Sequence, residues 1–242
     1  MAARPDGRGA DQLRPTKLIP NFLRHAEGSC LIEVGETHVI CSASVTEGVP
    51  SWRKGTGDGW VTAEYNMLPR SGLERVPRSA QKGGRSSEIQ RMIGRSLRAG
   101  IDLGMLGEHT IVVDCDVLEA DGGTRTASIT GGMVALSLAI AHMKERGMIR
   151  KDPIRSYVGA VSVGMIEGGP RLDLSYVEDS RADVDFNVVM TDRNEYVEVQ
   201  GAAEGATFTD GELQSLLTLA KAGLTDLFDM QRAAVAEGAG GR

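Results

Sequence analysis

Hydrophobic and polar positions along this 242-residue chain switch repeatedly between a two-residue and a helical period. Short β-branched or alternating runs at about 17–24, 29–34 and 38–45 predict strands, the last two joined by a tight turn at Gly35-Glu36-Thr37. Residues 59–68, which follow the Gly-rich 54–59, and residues 110–118 predict two more. A helix is expected from Ser86-Ser87, where Ser87-x-x-Gln90 fits a capping box and Ile89, Met92, Ile93 and Leu97 keep helical spacing. Its other face carries Glu88, Arg91, Arg95, Arg98 and Asp102, with Arg98 and Asp102 spaced for an i,i+4 ion pair. That stripe suits either a solvated face or an RNA-binding one. From 127 to 143 the chain is apolar or small at every position but His142, which predicts a buried helix stopped by Gly147.

The second half repeats this grammar. Runs at 157–167 and 171–176 predict a hairpin turning at Gly168-Gly169, with Leu172, Leu174 and Tyr176 alternating against Arg171, Asp173 and Ser175. Runs at 186–191 and 196–200 predict another. Thr209-x-x-Glu212 then caps a long helix whose inner face is Leu213, Leu216, Leu217, Ala220, Leu224, Leu227 and Phe228. The expectation is an α/β (α+β) fold: one domain over 1–236 built from two fused halves, with the Gly-rich 237–242 as a disordered tail. Residues 70–85 form a long loop, and loops of that length usually carry function.

Composition narrows the class without naming an activity. Charged and apolar fractions are those of an ordinary soluble globular chain. No clean apolar run reaches the roughly 18 residues of a membrane span, and 1–14 is basic and polar with no secretory h-region, so no membrane association is expected. Cys30, Cys41 and Cys115 are odd in number and lie in apolar runs without a CxxC pair. They read as buried hydrophobes in a reducing compartment, which points to the cytoplasm. His25, His38, His109 and His142 are scattered and read as structural.

The net charge of −6 is unevenly distributed. Between Arg70 and Arg98 eight bases (Arg70, Arg75, Arg78, Lys82, Arg85, Arg91, Arg95, Arg98) face only Glu74 and Glu88. From Asp173 to Glu212 eleven acids face two arginines. A basic segment suits a phosphate backbone; an acidic one suits cations or solvent. Two local patterns add chemistry. Asp121-Gly122-Gly123-Thr124-Arg125-Thr126 runs from a predicted strand into a predicted helix. Its glycines allow close backbone approach, the helix start supplies a positive dipole end, and Thr and Arg side chains supply donors. The pattern fits a phosphate-sized anion, and also an ordinary strand-to-helix loop. In Glu178-Asp179-Ser180-Arg181-Ala182-Asp183-Val184-Asp185, four acids precede an apolar strand. Such a run can be a surface loop. Alternatively Asp179 and Asp185 converge, which is costly unless a proton or a hard cation such as Mg²⁺ or Mn²⁺ is shared.

Longer motifs extend these patterns over nearly the whole chain. They are Arg14-Pro15, His25-Ala26-Glu27-Gly28-Ser29, Gly59-Trp60-Val61-Thr62-Ala63-Glu64-Tyr65, Met67-Leu68-Pro69-Arg70, Gly83-Gly84-Arg85 and Glu88-Ile89-Gln90-Arg91. Asp114-Cys115-Asp116-Val117-Leu118, Ala120 to Ser128, Tyr176-Val177-Glu178-Asp179-Ser180 and Val199-Gln200-Gly201 complete them. In this order and spacing the chain resembles bacterial RNase PH, the phosphorolytic tRNA-trimming enzymes of the RNase PH, polynucleotide phosphorylase and exosome-core family.

The resemblance implies a phosphate site at Arg85, Gly123, Thr124 and Arg125, and a metal-binding acid pair at Asp179 and Asp185. It places Arg70, Arg75 and Arg78 in a tRNA-gripping loop. It implies two β-rich halves with crossing helices, the ribosomal protein S5 domain 2-like architecture, and a homohexameric ring built as a trimer of dimers. The implied reaction uses inorganic phosphate to remove 3′ nucleotides from tRNA precursors and other RNA ends as nucleoside 5′-diphosphates, reversibly, with a divalent ion (Mg²⁺ or Mn²⁺). Two other readings stand beside it: a catalytically silent RNA-binding ring subunit, and a hydrolytic metal-dependent nuclease, which would have no use for the anion loop.

Overall fold

The computed structural model describes residues 4–78, 83–204 and 207–240. Strands β1 (Thr16–Pro20), β2 (Gly28–Val34), β3 (Thr37–Glu47), β4 (Trp60–Met67) and β5 (His109–Glu119) form a sheet in the order β1-β2-β3-β5-β4. Its neighbours are antiparallel except β4, which runs parallel to β5 and reaches it through α1 (Gly84–Ala99). The two-residue period works as expected. Val39, Cys41 and Ala43, Val61, Ala63 and Tyr65, and Ile111, Val113, Cys115 and Val117 all turn inward.

Against that inner face lies α2 (Thr124–Glu145). It is buried continuously from Thr126 to Ile140 because it also packs on the second sheet, and a helix apolar on all sides needs neighbours all round. It is long and apolar enough to cross a membrane by composition, yet it is the packed centre of this fold. A Cβ on Gly28 would lie 2.0 Å from the Ala135 carbonyl oxygen, so glycine there sets the close approach of β2 to α2.

The second sheet comprises β6 (Val158–Ile166), β7 (Gly169–Leu172), β8 (Val184–Thr191) and β9 (Tyr196–Ala203), antiparallel in the order β7-β6-β8-β9. A single turn, α3 (Tyr176–Asp179), joins β7 to β8. The long α4 (Asp210–Ala239) covers this sheet with Leu216, Ala220, Leu224, Leu227 and Phe228. Thr209 and Glu212 form the predicted reciprocal capping box at its start. Buried Gln231 on α4 donates to the carbonyls of Thr130 and Val158, both at 2.9 Å, and so ties α4 to α2 and β6.

Four local expectations fail for identifiable reasons. Gly83, in an extended cap conformation, starts α1 early, so Ser87 falls inside the helix and Ser87-x-x-Gln90 forms no capping box. Arg98 does not pair with Asp102: it donates to the Val61 carbonyl (2.9 Å), while Asp102 accepts from Arg155 (2.7 Å) and the Gly104 amide. The strand expected over 171–176 ends at Leu172, because Asp173 turns left-handed (φ 53°), leaving Tyr176 exposed at the start of α3. Finally, 237–239 is helix rather than a disordered tail. The Gly238 carbonyl accepts from Asn21, and Leu138 and Pro20 pack where a side chain would stand. Residues 241–242 lie outside the described residues, as does Lys82.

The three cysteines are free and buried, in one row across β2, β3 and β5 (Cys30 beside Cys41 beside Cys115). Burial pushes the Cys30 thiol up to about 12, and the Cys115 sulfur together with burial raises Cys41 as well. The Cys30 and Cys41 thiols therefore stay protonated and unreactive, in keeping with the structural reading.

Candidate active site

The parallel strands β4 and β5 end on the same edge of the first sheet, where α1 and α2 begin. Carboxyl ends of parallel strands facing helix N-termini form a general anion-binding geometry. β5 enters α2 through Gly122 (φ 75°) and Gly123 (φ 68°), both in the left-handed region that glycine adopts without strain. Gly122 also makes a close approach. A Cβ there would lie 2.7 Å from the Leu174 carbonyl oxygen and 2.8 Å from backbone atoms of Ser175 and Tyr176. The glycine loop is thereby seated on the chain that leads into α3. The Asp121 carboxylate accepts from the Tyr176 amide (3.2 Å), and the Thr37 hydroxyl donates to the Gly122 carbonyl (2.7 Å) while accepting from the Asp121 amide. Gly123 and Gly83, the N-caps of α2 and α1, supply no side-chain cap to the first amides of the two helices.

Side chains from both halves meet at these helix starts. The hydroxyls of Tyr65 and Thr124 share a hydrogen bond of 2.8 Å. Arg125 donates to Gln200 of β9 (3.2 Å) and lies 4.0 Å from Glu88 of α1, and Gln200 donates to Glu88 (2.9 Å). The Gln200 hydrogen bond holds the Glu88 carboxyl below its ordinary range, with the charges of Arg125 and Arg85 adding to the effect. Burial raises the Tyr65 phenol even though the Thr124 hydrogen bond and the same two arginines oppose it. Arg85, exposed in the first turn of α1, thus acts with Arg125 on both Tyr65 and Glu88.

Asp179 ends α3 and Asp185 lies on β8. Asp179 is open to solvent on one side. Partial desolvation by the protein around it nonetheless raises its pKa, the Asp185 charge adds to that, and Arg125, Arg85 and Arg14 oppose it. Asp185 is raised by desolvation, with Glu204 adding and Arg125 opposing. The structure thus brings Arg85, Arg125 and both acids into one electrostatic neighbourhood. Asp183 is exposed, and its amide bonds to the Met165 carbonyl at the end of β6.

Two other acids of the same segment do different work. Glu178 is buried and accepts from Arg4 through both oxygens (2.8 Å each), with Arg171 at 3.3 Å. Buried Asp173 accepts from the Arg14 guanidinium (3.0 and 2.7 Å) and the Arg14 amide (2.8 Å). Burial alone would raise the Glu178 carboxyl, but the Arg4 hydrogen bond and the Ser175 amide outweigh it and keep the carboxyl below its ordinary range. Arg14 also reaches the Asp121 carbonyl (2.6 Å), so this ionic knot joins the glycine loop to the approach to α3. Sequence reasoning counted these acids as part of a cation-attracting excess. Their only signal was an equally unusual run of arginines at positions 4, 8 and 14.

Arg70, Arg75 and Arg78 are exposed on the stretch that leaves β4. The stretch is ordered by hydrogen bonds from Val76 to Pro69 and from Ala120 to Ser71 (2.8 Å each), which place it beside the entry to the glycine loop. Arg70 also donates to the Leu73 carbonyl of its own turn, and the charge of Arg78 acts on Asp116 of β5.

Comparison with known proteins agrees with this architecture. The models for domains 1 and 2 of the RNase PH-type 3′ exoribonuclease family match residues 12–141 and 156–223. The chain belongs to that family, and the two sheets and four α-helices among the described residues are the mixed α/β, two-part fold expected of it. A rice (Oryza sativa) Rrp46 crystal structure is similar, with TM-score 0.78, 20% identity, 96% of this chain and 100% of that chain covered. An Archaeoglobus fulgidus exosome with RNA bound to the active site gives TM-score 0.77 and 24% identity over 93% and 91% of the two chains. An archaeal exosome core gives 0.73 and 23% over 95% and 91%.

Proposed function

We propose that this protein is a phosphorolytic 3′-to-5′ exoribonuclease of the bacterial RNase PH type. It would trim tRNA precursors and related RNA 3′ ends and act as a homohexameric ring. The observation that carries this reading is the convergence of charge at two helix starts without side-chain caps: Arg85 and Arg125 both act on Asp179, Arg125 acts on Asp185, and Gly122 seats the glycine loop against the chain leading into α3.

Inorganic phosphate is a strongly hydrated nucleophile that must approach an anionic diester. Arg85, Arg125, Thr124 and the amides after Gly123 would bind it, remove its water and offset that repulsion. One phosphate oxygen then bonds to the terminal phosphorus as the bond to the 3′ oxygen of the preceding nucleotide breaks. The products are a nucleoside 5′-diphosphate and an RNA one residue shorter. The bond types exchanged are similar, so the reaction runs backwards when diphosphates are in excess. Asp179 and Asp185 offer hard oxygen donors whose crowding a divalent cation would relieve. Among the described residues no group of three or more ligating side chains exists, which suits an ion such as Mg²⁺ bound by one or two carboxylates plus waters and substrate oxygens. When bound, that ion would neutralise charge on the scissile phosphate and the leaving oxygen.

A catalytically silent RNA-binding ring subunit shares this fold, and the likeness to exosome-core chains suits that reading equally well. Incubating RNA with and without inorganic phosphate separates the readings. The proposal expects shortening only with phosphate, with diphosphate products. No shortening in either case supports the silent subunit, and monophosphates without phosphate support a hydrolase.

A further inference from the structure

The far end of α1 carries an aromatic and cationic cluster that the proposed chemistry does not use. Trp52, in the turn Ser51–Arg53, is 63% exposed. It meets Trp60 of β4 edge to face, with ring centroids 4.8 Å apart. The Arg53 guanidinium lies 5.8 Å from the Trp52 ring centroid and 5.1 Å from that of Trp60, and Arg98 lies over Trp60 at 4.3 Å. These groups are held in place. Arg53 donates to the Gly59 carbonyl (2.9 Å) and Asp58 (3.0 Å), and Arg98 donates to the Val61 carbonyl. The result is an exposed indole packed on a second indole, with Arg53 beside both rings and Arg98 over the second, the combination of aromatic and guanidinium groups on which unpaired nucleic acid bases stack irrespective of sequence.

Its position relates it to the candidate active site. Glu88, Arg91, Arg95 and Arg98 lie at steps of three and four on one face of α1. Glu88 touches the Arg125 network at the start of the helix, and Arg98 touches Trp60 at its end. Exposed Arg91 stands between, as does Arg95, which is partly offset by Glu198 (2.6 Å). From Arg85 to Arg98 the helix rises about 20 Å. A stacked strand rises about 3.4 Å per nucleotide, so that distance corresponds to about six nucleotides.

We propose that Trp52, backed by Trp60, Arg53 and Arg98, is a stacking subsite for single-stranded RNA about six nucleotides upstream of the 3′ end. This rests on the proposed function for where the 3′ end sits. The arginines along α1 track the backbone between the two points, so RNA long enough to span them is held at both. A four-nucleotide RNA reaches only the first.

Binding of 5′-fluorescein-labelled oligouridylates of four and twelve nucleotides, measured by anisotropy in EDTA without phosphate, tests this with turnover excluded. Trp52→Ala should weaken the twelve-mer by about fivefold to a hundredfold and leave the four-mer unchanged. Trp52→Phe should keep most of the twelve-mer affinity. Unchanged twelve-mer binding by Trp52→Ala, or an equal loss on both lengths, overturns the subsite. A change in particle mass by light scattering with unaltered RNA affinity would instead make this face a contact between protein copies. If phosphorolysis proves absent while the length-dependent loss persists, only the active-site reading falls. If phosphorolysis is present and Trp52→Ala binds normally, only the subsite falls.

Discussion

Gly122→Ala separates the site's architecture from its chemistry, because the residue carries no reactive group. Alanine at φ 75° costs about 1–2 kcal/mol in backbone strain. Its Cβ would also lie 2.7–2.8 Å from backbone atoms of 174–176. Ordinary contact needs about 3.5 Å or more, so the glycine loop and the approach to α3 must part by close to 1 Å. Forcing a packed interface apart in this way costs about 1–3 kcal/mol, for a combined loss of about 2–5 kcal/mol. The same shift moves the anion loop relative to Asp179, and a misplacement of about 1 Å can reduce turnover about a hundredfold. Gly168→Ala is the control: φ is 72° and nothing lies within 4 Å, so only the strain applies. Urea denaturation of both variants, with rates of phosphate-dependent RNA shortening, should show Gly168→Ala slightly destabilised and fully active. Gly122→Ala should be less stable and about a hundredfold slower. Equal stability and equal turnover in the two variants would refute the claim that this contact sets the site.

Three further predictions probe separate parts of the molecule. Asp185→Asn should nearly abolish turnover while leaving tRNA affinity and assembly unchanged, with Asp179→Asn alike and exposed Asp183→Asn milder; full activity of Asp185→Asn in magnesium would remove its assigned role. Changing Arg70, Arg75 and Arg78 together to alanine should weaken tRNA binding and reduce the log–log salt slope by about one unit for each RNA phosphate no longer neutralised, while sparing short oligomers. An intact ring with unchanged affinity would contradict the RNA-grip assignment, and a dissociated ring would assign these arginines to an interface. Burial, then the charges of Glu64 and Asp116, raise the Asp114 carboxyl. A folded pKa above the unfolded value of about 3.9 means that stability falls as pH rises from that value through the folded pKa. Asp114→Asn should therefore raise the melting temperature at pH 7 and leave it unchanged at pH 3, and an equal effect at both would exclude the like-charge explanation.

The elements that a periodic pattern defines were legible in the sequence. Alternation in β3, β4 and β5 and the apolar and small residues that fill the middle of α2 needed only side-chain polarity to be read. What sequence missed depends on partners far along the chain. Arg4 and Arg14 reach Glu178 and Asp173 across more than 150 positions, and no local spacing announces such a pairing. Arg98 found a carbonyl and an indole in place of the acid four residues on, because β4 passes closer than Asp102, which lies beyond the helix. At the site, the loop at Gly122-Gly123 and the acids Asp179 and Asp185 could be named from residue type and resemblance. Tyr65, Glu88 and Gln200, which hold Thr124 and Arg125, could not be assigned until β4, α1 and β9 were seen to meet. Part of the acidic excess of the second half proved to be the internal counter-charge of the arginine knot, so the net charge of that window overstated what remains for a cation.

Phosphate bound between the starts of α1 and α2 is, on this reading, the attacking group. Isotope-labelled inorganic phosphate supplied with unlabelled RNA and magnesium puts that to the test. Label should enter the terminal phosphate of every released nucleoside diphosphate, one per nucleotide removed, and Arg125→Ala or Asp185→Asn should abolish the transfer. Release of unlabelled nucleoside monophosphates at the same rate would contradict it.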